Sequence, residues 1–217
     1  MSARRLILLI LGGATGYALT RLGLATSTTN LLGWFLIIIG VSYFTGGSIY
    51  VAFYRNPSAV RRESGDLSTV LVAPGFLAIF FIPPLEYLYL PAFLPHTQGM
   101  QILGIALLGA GLLLRLWVRL ALGRFYSSIV QVKADHRVVR QGPYQVVRHP
   151  GYTSFLLMGL GLAVGFSSLI GLLAVPLVLL PGLVYRLTVE EKFLTEQFGD
   201  EYHRYAQRTK RLIPGLW

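Results

Sequence analysis

The sequence has no cysteine. Disulfides, thiolate metal sites and cysteine nucleophiles are therefore excluded from whatever it does, though no compartment follows from that absence. No other metal-ligand set is expected. Charge is scarce too. Only 13% of the residues are Asp, Glu, Lys or Arg, against about 25% in an ordinary soluble domain. Acid is scarcer than base, 9 residues against 19, leaving a formal charge of +10. A positive excess alone would suit a nucleic acid, but basic residues beside apolar spans are the usual sign of membrane topology, so no nucleic-acid partner is expected. There is no internal repeat and no low-complexity stretch.

What is present is apolar. The 54% hydrophobic content falls in long runs, and about 20 apolar residues cross ~30 Å of hydrocarbon as a helix. Residues 1–25 lack a small-residue cleavage site and read as a first span, about Leu6–Leu24, behind Arg4-Arg5. A second span covers about Leu31–Tyr54, a third about Thr69–Leu90 and a fourth about Met100–Leu122. Pro74 and Pro83-Pro84 should kink or break the third, because proline removes a donor and clashes one turn back. Glu86, Tyr87 and Tyr89 read as interface anchors near its end. Gly104, Gly109 and Gly111 suit close packing of the fourth span. Arg115 and Arg119, one turn apart, either snorkel to headgroups or form a basic rim. Residues 153–189 stay apolar but break near Gly165–Ser168, which predicts a helical hairpin or a tilted pair, with Pro176 and Pro181 bending the second limb. The expected fold is an all-α integral membrane protein with about four transmembrane helices, a C-terminal helical hairpin and an amphipathic cytoplasmic tail helix.

Two polar patches interrupt this. Residues 131–152 form the longest polar run, with His136, Arg148 and His149 among several basic groups. Gly142-Pro143 reads as a turn and His149-Pro150 as a helix start. The second patch, Arg186, Glu190 and Glu191, lies where the hairpin leaves the membrane, and ionisable groups at such depth are functional suspects. Arg186 and Glu190 are four apart and can pair, while Glu191 lies about 140° round the helix and can face another partner. The plain alternative is an interfacial ion pair plus a solvated carboxylate. Beyond it, residues 194, 198, 202 and 205 repeat at helical spacing, with Gly199 as an interruption, and predict a membrane-surface helix or a lid. His96 and His203 read as surface residues.

These motifs carry a resemblance. Gln131, His136, Gly142-Pro-Tyr144 and Arg148-His-Pro-x-Tyr152, followed by Arg186, Glu190-Glu191, Phe198-Gly-Asp-Glu-Tyr202, Tyr205 and Arg211-Leu-Ile-Pro214, closely resemble the isoprenylcysteine carboxyl methyltransferase family. The wider group includes phospholipid N-methyltransferases. The resemblance covers about residues 120–214. It implies S-adenosyl-L-methionine as methyl donor, with S-adenosyl-L-homocysteine as product. By position it places Gln131, His136, Gly142, Tyr144, Arg148, His149, Pro150, Tyr152 and Glu190 at the cofactor, and makes Arg186 and Glu191 catalytic. The glycine-rich loop of a soluble Rossmann methyltransferase is missing.

The resulting division has N-terminal transmembrane helices in residues 1–100 and a methyltransferase region in 101–217, with its cofactor loop at 123–152 and the hairpin and tail behind it. Basic residues mark the 55–68, 115–148 and 204–211 segments, while 25–30 and 91–99 have none. That bias places both termini and the His149 loop on the cytoplasmic side. A lipophilic or prenylated substrate would enter from the bilayer, among membrane lipids. A carboxylate acceptor needs no base and suits Arg186, whereas an amine acceptor needs a Glu or His to take its proton. Other readings are a phospholipid or amine N-methyltransferase, an NADPH-dependent sterol-type reductase, and a non-enzymatic scaffold.

Overall fold

The computed structural model describes residues 3–46, 61–62, 68–123, 131–132 and 138–215. Helix α1 (Ala3–Thr26) turns at Asn30 into α2 (Leu32–Ile38), which widens into π geometry over Ile39–Gly46. Then come α3 (Ser68–Tyr89), α4 (Gln98–Leu122), a 3-10 turn at Gly142–Gln145, α5 (Pro150–Gly165) and α6 (Leu169–Ala174). A π stretch, Val175–Leu179, joins α6 to α7 (Leu180–Phe198), and α8 (Asp200–Arg208) follows. Three segments are long and apolar enough to cross a membrane: Leu71–Tyr89, Gln98–Leu122 and Leu169–Phe198. The protein is a multi-pass integral membrane protein. Its surface agrees: Leu113, Leu116, Trp117 and Leu120 on α4 face outward, as lipid contact requires.

The second span is helical as far as Gly46, and its remainder lies outside the described residues. Pro74, Pro83 and Pro84 do not break α3, which runs unbroken through all three. With no water to take over the freed carbonyls in hydrocarbon, leaving the helix costs more than each lost bond. The two later prolines, 176 and 181, do mark a change, since the π stretch begins just before Pro176 and ends just before Leu180-Pro181. The sequence did not announce a small antiparallel ladder, β1 (Arg61–Arg62) against β2 (Gln131–Val132), which ties two basic loops together at one end of the bundle.

The core is a cluster of Leu19, Leu36, Ile79, Leu162, Phe166, Leu179 and Leu183, drawn from the hairpin and the helices packed against it. The most extensive helix contact is α4 on α5. Gly104 and Gly111 are part of the reason: a Cβ on Gly104 would lie 2.3 Å from the Cα of Gly165, and one on Gly111 2.9 Å from the Ser154 carbonyl oxygen. Gly109 has no such part, because nothing lies within 4 Å of a Cβ built on it.

At the end opposite the ladder, three turns interlock. Asn30 is buried; its Nδ2 donates to the Gly165 carbonyl at 2.8 Å and its Oδ1 accepts from Leu32 N–H at 3.0 Å. The hairpin turns at Phe166–Ser168, with Ser167 in the left-handed region (φ 51°) and its hydroxyl donating to the Pro95 carbonyl at 3.1 Å. Glu86 is not an interface anchor. It is 5% exposed and accepts the Leu169 and Ile170 N–H groups, each at 3.0 Å, and the Ser168 hydroxyl. A carboxylate supplied by another helix thus satisfies donors that the re-entering limb cannot pair itself. Tyr87 stacks on His96 with ring centroids 4.7 Å apart, while Tyr89 is exposed.

Candidate active site

Three segments bring polar groups to the ladder end: the loop running into α5, the last turns of α7, and the tail behind α8. Gly142 takes φ 60°, and a Cβ there would meet the Trp117 indole Nε1 at 3.0 Å, so the turn sits directly on α4. Pro143 is buried within the 3-10 turn. His149 stands before α5 in a non-helical conformation (φ −124°, ψ 56°), and Pro150 opens the helix where its missing N–H would have been unpaired anyway.

From the first turn of α5, the Tyr152 hydroxyl reaches α7. It donates to Glu190 Oε2 at 2.5 Å and accepts from Arg186 Nε at 3.0 Å. Tyr152 is thus inserted into the four-residue pair that the sequence suggests. Arg186 is 6% exposed, so its charge depends on the neighbouring groups for compensation. Tyr152 also stacks on His149, with centroids 5.7 Å apart.

Glu191 faces elsewhere. Its Oε1 accepts from Arg148 Nε at 2.7 Å and faces His149 Nε2 at 3.3 Å, while Arg211 Nη2 lies 3.0 Å from Oε2. The carboxylate is held by two guanidiniums and an imidazole and is largely withdrawn from solvent. Glu190 Oε2 lies 3.9 Å from His149 Nδ1, beyond hydrogen-bond distance. The two neighbouring carboxylates therefore approach opposite nitrogens of one buried ring.

The tail completes this end. Arg148 N–H donates to the Lys210 carbonyl at 2.7 Å, His149 N–H to the Arg211 carbonyl at 3.1 Å, and Thr153 Oγ1 to the Leu212 carbonyl at 2.7 Å. Arg148 Nη1 donates to the Ala206 carbonyl at 2.6 Å and to that of Thr209. The Tyr205 hydroxyl donates to the Tyr144 carbonyl at 2.8 Å, and burial pushes its pKa up to about 12, so it stays a donor. Gly199, at φ 51°, separates α7 from α8 and lets the chain fold back over the loop.

The candidate residues Tyr144, Arg148, His149, Pro150, Tyr152, Arg186, Glu190 and Glu191 thus gather at one end, with Gly142 on its edge. Gln131 is described only through its backbone pairing with Arg62, and His136 lies outside the described residues. Arg115 sits with its guanidinium carbon 4.0 Å over the Phe155 ring, against α5. Two residues that the sequence assigned to the amphipathic tail and not to the site belong to this neighbourhood. One is Arg211. The other is Tyr202, which is 4% exposed and whose hydroxyl is the one buried side-chain polar atom without a partner among the described residues. Burial raises its pKa, and the charges of Glu191 and Glu190 push the same way. Both residues sit inside quoted motifs, so the motif match was the available signal; spacing alone does not separate Arg211 from Arg204 or Arg208.

Comparison with known proteins supplies the class. The family model described as phospholipid methyltransferase matches residues 100–201. Protein-S-isoprenylcysteine O-methyltransferase B of Arabidopsis thaliana is 28% identical over 153 residues, covering 68% of this chain and 78% of that protein. The protein-S-isoprenylcysteine O-methyltransferase of Saccharomyces cerevisiae is 29% identical over 190 residues, covering 82% and 78%. The solved structure of a eukaryotic intramembrane Ras methyltransferase, isoprenylcysteine carboxyl methyltransferase, matches with a TM-score of 0.59 at 20% identity, covering 92% of this chain and 73% of that one, and shares its fold. Helices, membrane spans and matches together define an integral-membrane methyltransferase that uses S-adenosylmethionine. Within that class, the chain is similar to the isoprenylcysteine carboxyl methyltransferases over most of its length.

Proposed function

We propose that the site at the ladder end holds S-adenosylmethionine and that the acceptor is the carboxylate of an isoprenylcysteine or similar lipophilic molecule. The observation carrying this reading is the meeting of Arg148–Tyr152 with Arg186–Glu191 through Tyr152, His149 and the two glutamates. The residues fit the donor chemically. Glu190 and the His149 ring offer acceptors for an ammonium, and the unpartnered Tyr202 hydroxyl is an unused buried donor in the field of the acid pair. When bound, S-adenosylmethionine supplies a methyl group already activated as a sulfonium.

The chain's own residues then have positioning to do. Arg148, His149, Pro150 and Tyr144 shape the donor side, with Gly142 setting the turn, and Gln131 and His136 belong to the same loop. Arg186 holds the acceptor carboxylate through its planar guanidinium, whose orientation the bond from its Nε to the Tyr152 hydroxyl fixes. A carboxylate acceptor becomes an ester without giving up a proton, so no residue need act as base. Orientation and exclusion of water then supply most of the effect. Glu191 acts by fixing Arg148 and His149. Residues 101–217 form the methyltransferase region on N-terminal spans 1–100, with the site and both termini cytoplasmic and the acceptor arriving from the bilayer.

A second reading rests on the phospholipid methyltransferase match over residues 100–201. For an amine acceptor, Glu190 takes the proton and Arg186 holds the lipid phosphate. The test is purified protein in detergent. Thermal shift with S-adenosylhomocysteine and no shift with NADPH is expected; the reverse overturns the donor assignment. Labelled methyl transfer to a prenylated cysteine, set against phosphatidylethanolamine, then decides the acceptor.

A further inference from the structure

Arg211 opens the motif Arg211-Leu-Ile-Pro214, and the reading above leaves it without a role. We propose that Arg211 is a positioning residue of the donor site: through Glu191 it fixes the orientation and tautomer of His149. The proposal rests on the donor-site reading.

Arg211 meets His149 twice. Its carbonyl accepts the His149 backbone N–H at 3.1 Å, and its guanidinium lies 3.0 Å from the Glu191 carboxylate, whose other oxygen faces His149 Nε2 at 3.3 Å. The flanking tail residues are anchored independently, Lys210 by Arg148 N–H and Leu212 by the Thr153 hydroxyl, with Leu212 fully buried. The guanidinium therefore projects from backbone that is already held.

Glu191 is clamped from two sides, with Arg148 on Oε1 and Arg211 on Oε2. A carboxylate between two guanidiniums is an acceptor only, so His149 Nε2 must carry the hydrogen shared with it. In the neutral ring, that places the Nδ1 lone pair on the side of Glu190 Oε2, 3.9 Å away. Two acceptors side by side call for a donor between them, such as the ammonium of the methyl donor. With Arg211 removed, Glu191 keeps Arg148 on Oε1 but loses its hold on Oε2 and can rotate. The ring is then free to exchange tautomers. The same logic governs metal-bound histidines, where the partner of one nitrogen decides what the other does.

The test compares Arg211→Gln and Arg211→Lys with the unaltered protein, full-length and in detergent. Two readouts are taken: calorimetric affinity for S-adenosylhomocysteine, and the ¹⁵N resonances of histidine-labelled protein. The sequence has four histidines, so the His149 pair is assigned by its loss in His149→Asn. In the unaltered protein two well-separated His149 nitrogen resonances are expected. In Arg211→Gln they move together, and affinity falls about tenfold, the scale of one charged hydrogen bond. The KM for donor rises while that for acceptor is unchanged. Arg211→Lys keeps the charge at a single point and recovers most of both signals.

A folded Arg211→Gln with unaltered affinity and unaltered His149 resonances overturns the proposal and leaves the donor reading standing. If no form binds S-adenosylhomocysteine, the donor reading fails, and the nitrogen resonances alone decide whether Arg211 sets His149. Should Arg211→Gln not fold, Arg211→Lys carries the test: smaller shifts in the same directions support the coupling, and unaltered values of both overturn it.

Discussion

A helix turns about 100° per residue, so Glu190 and Glu191 point in different directions, and the structure sends them to Tyr152 and to the Arg148–Arg211 clamp, on opposite sides of the His149 ring. That divergence was legible from spacing. The partners were not, because Tyr152, Arg148 and Arg211 come from segments 34 or more residues away or from beyond α8. Arg186 is a case where chemistry predicts the phenotype. Arg186→Lys keeps the charge but loses the planar fork, and a charged hydrogen bond is worth about 1.5–3 kcal/mol. Methyl transfer at saturating donor should fall roughly 10- to 100-fold while S-adenosylhomocysteine affinity is retained. Turnover at the unaltered rate would take Arg186 out of acceptor binding. Tyr202 predicts the opposite pattern. Its hydroxyl is buried without a partner, so Tyr202→Phe removes an unmet desolvation cost and should leave unliganded thermal stability equal or higher. If that hydroxyl meets the donor, affinity for S-adenosylhomocysteine drops about 3- to 10-fold. A variant with full affinity and raised stability would show that the hydroxyl touches nothing in the bound state either.

At the level of elements, the hairpin was readable because Gly165–Ser168 interrupts an apolar run that is otherwise long enough to span. What pins it was not readable. Glu86 looks in sequence like any acidic residue near a helix end, and only the fold brings it under the N–H groups of Leu169 and Ile170. The prolines of α3 misled for a related reason: a breaker is judged against the cost of leaving the helix, and that cost is set by the surrounding lipid and neighbouring helices. The glycines of α4 show the limit again, since Gly104 meets α5 and Gly109 meets nothing, and a one-helix pattern cannot say which face is occupied. The consequence for Glu86 is measurable. Glu86→Ala strands buried donors at about 1–3 kcal/mol, and the midpoint in detergent should fall by roughly 3–10 °C for a chain this size. The site lies at the far end of the bundle, so S-adenosylhomocysteine affinity at low temperature should stay within about twofold, with local packing additive at such separation. An equal loss of affinity would mean the two ends of the hairpin are coupled.

For the molecule as a whole, charge asymmetry and geometry agree on which loops share a side. The hydrogen bonds from Asn30 to Gly165 and from Ser167 to Pro95 gather the 25–30, 91–99 and 166–168 turns at one end, and the first two of these connectors contain no Lys or Arg. The β1–β2 ladder, the Arg148 cluster and the tail lie at the other, where the basic residues concentrate. Positive charge resists translocation, so the ladder end should be cytoplasmic, which is also where a water-soluble nucleotide donor would be met while a greasy acceptor comes through the bilayer. The cysteine-free sequence makes this unusually direct to check. Phe93 is 58% exposed at the first end, and His203 and Arg204 are exposed on α8 at the second. Phe93→Cys and Arg204→Cys each introduce a single thiol. With a membrane-impermeant maleimide, Arg204→Cys should label in inside-out vesicles and resist labelling in right-side-out ones, and Phe93→Cys should do the reverse. Labelling of both from the same face would break the two-ended arrangement itself, whereas a clean exchange of the two patterns would leave the bundle intact and put the donor site on the outer side, where a cytosolic nucleotide cannot reach it.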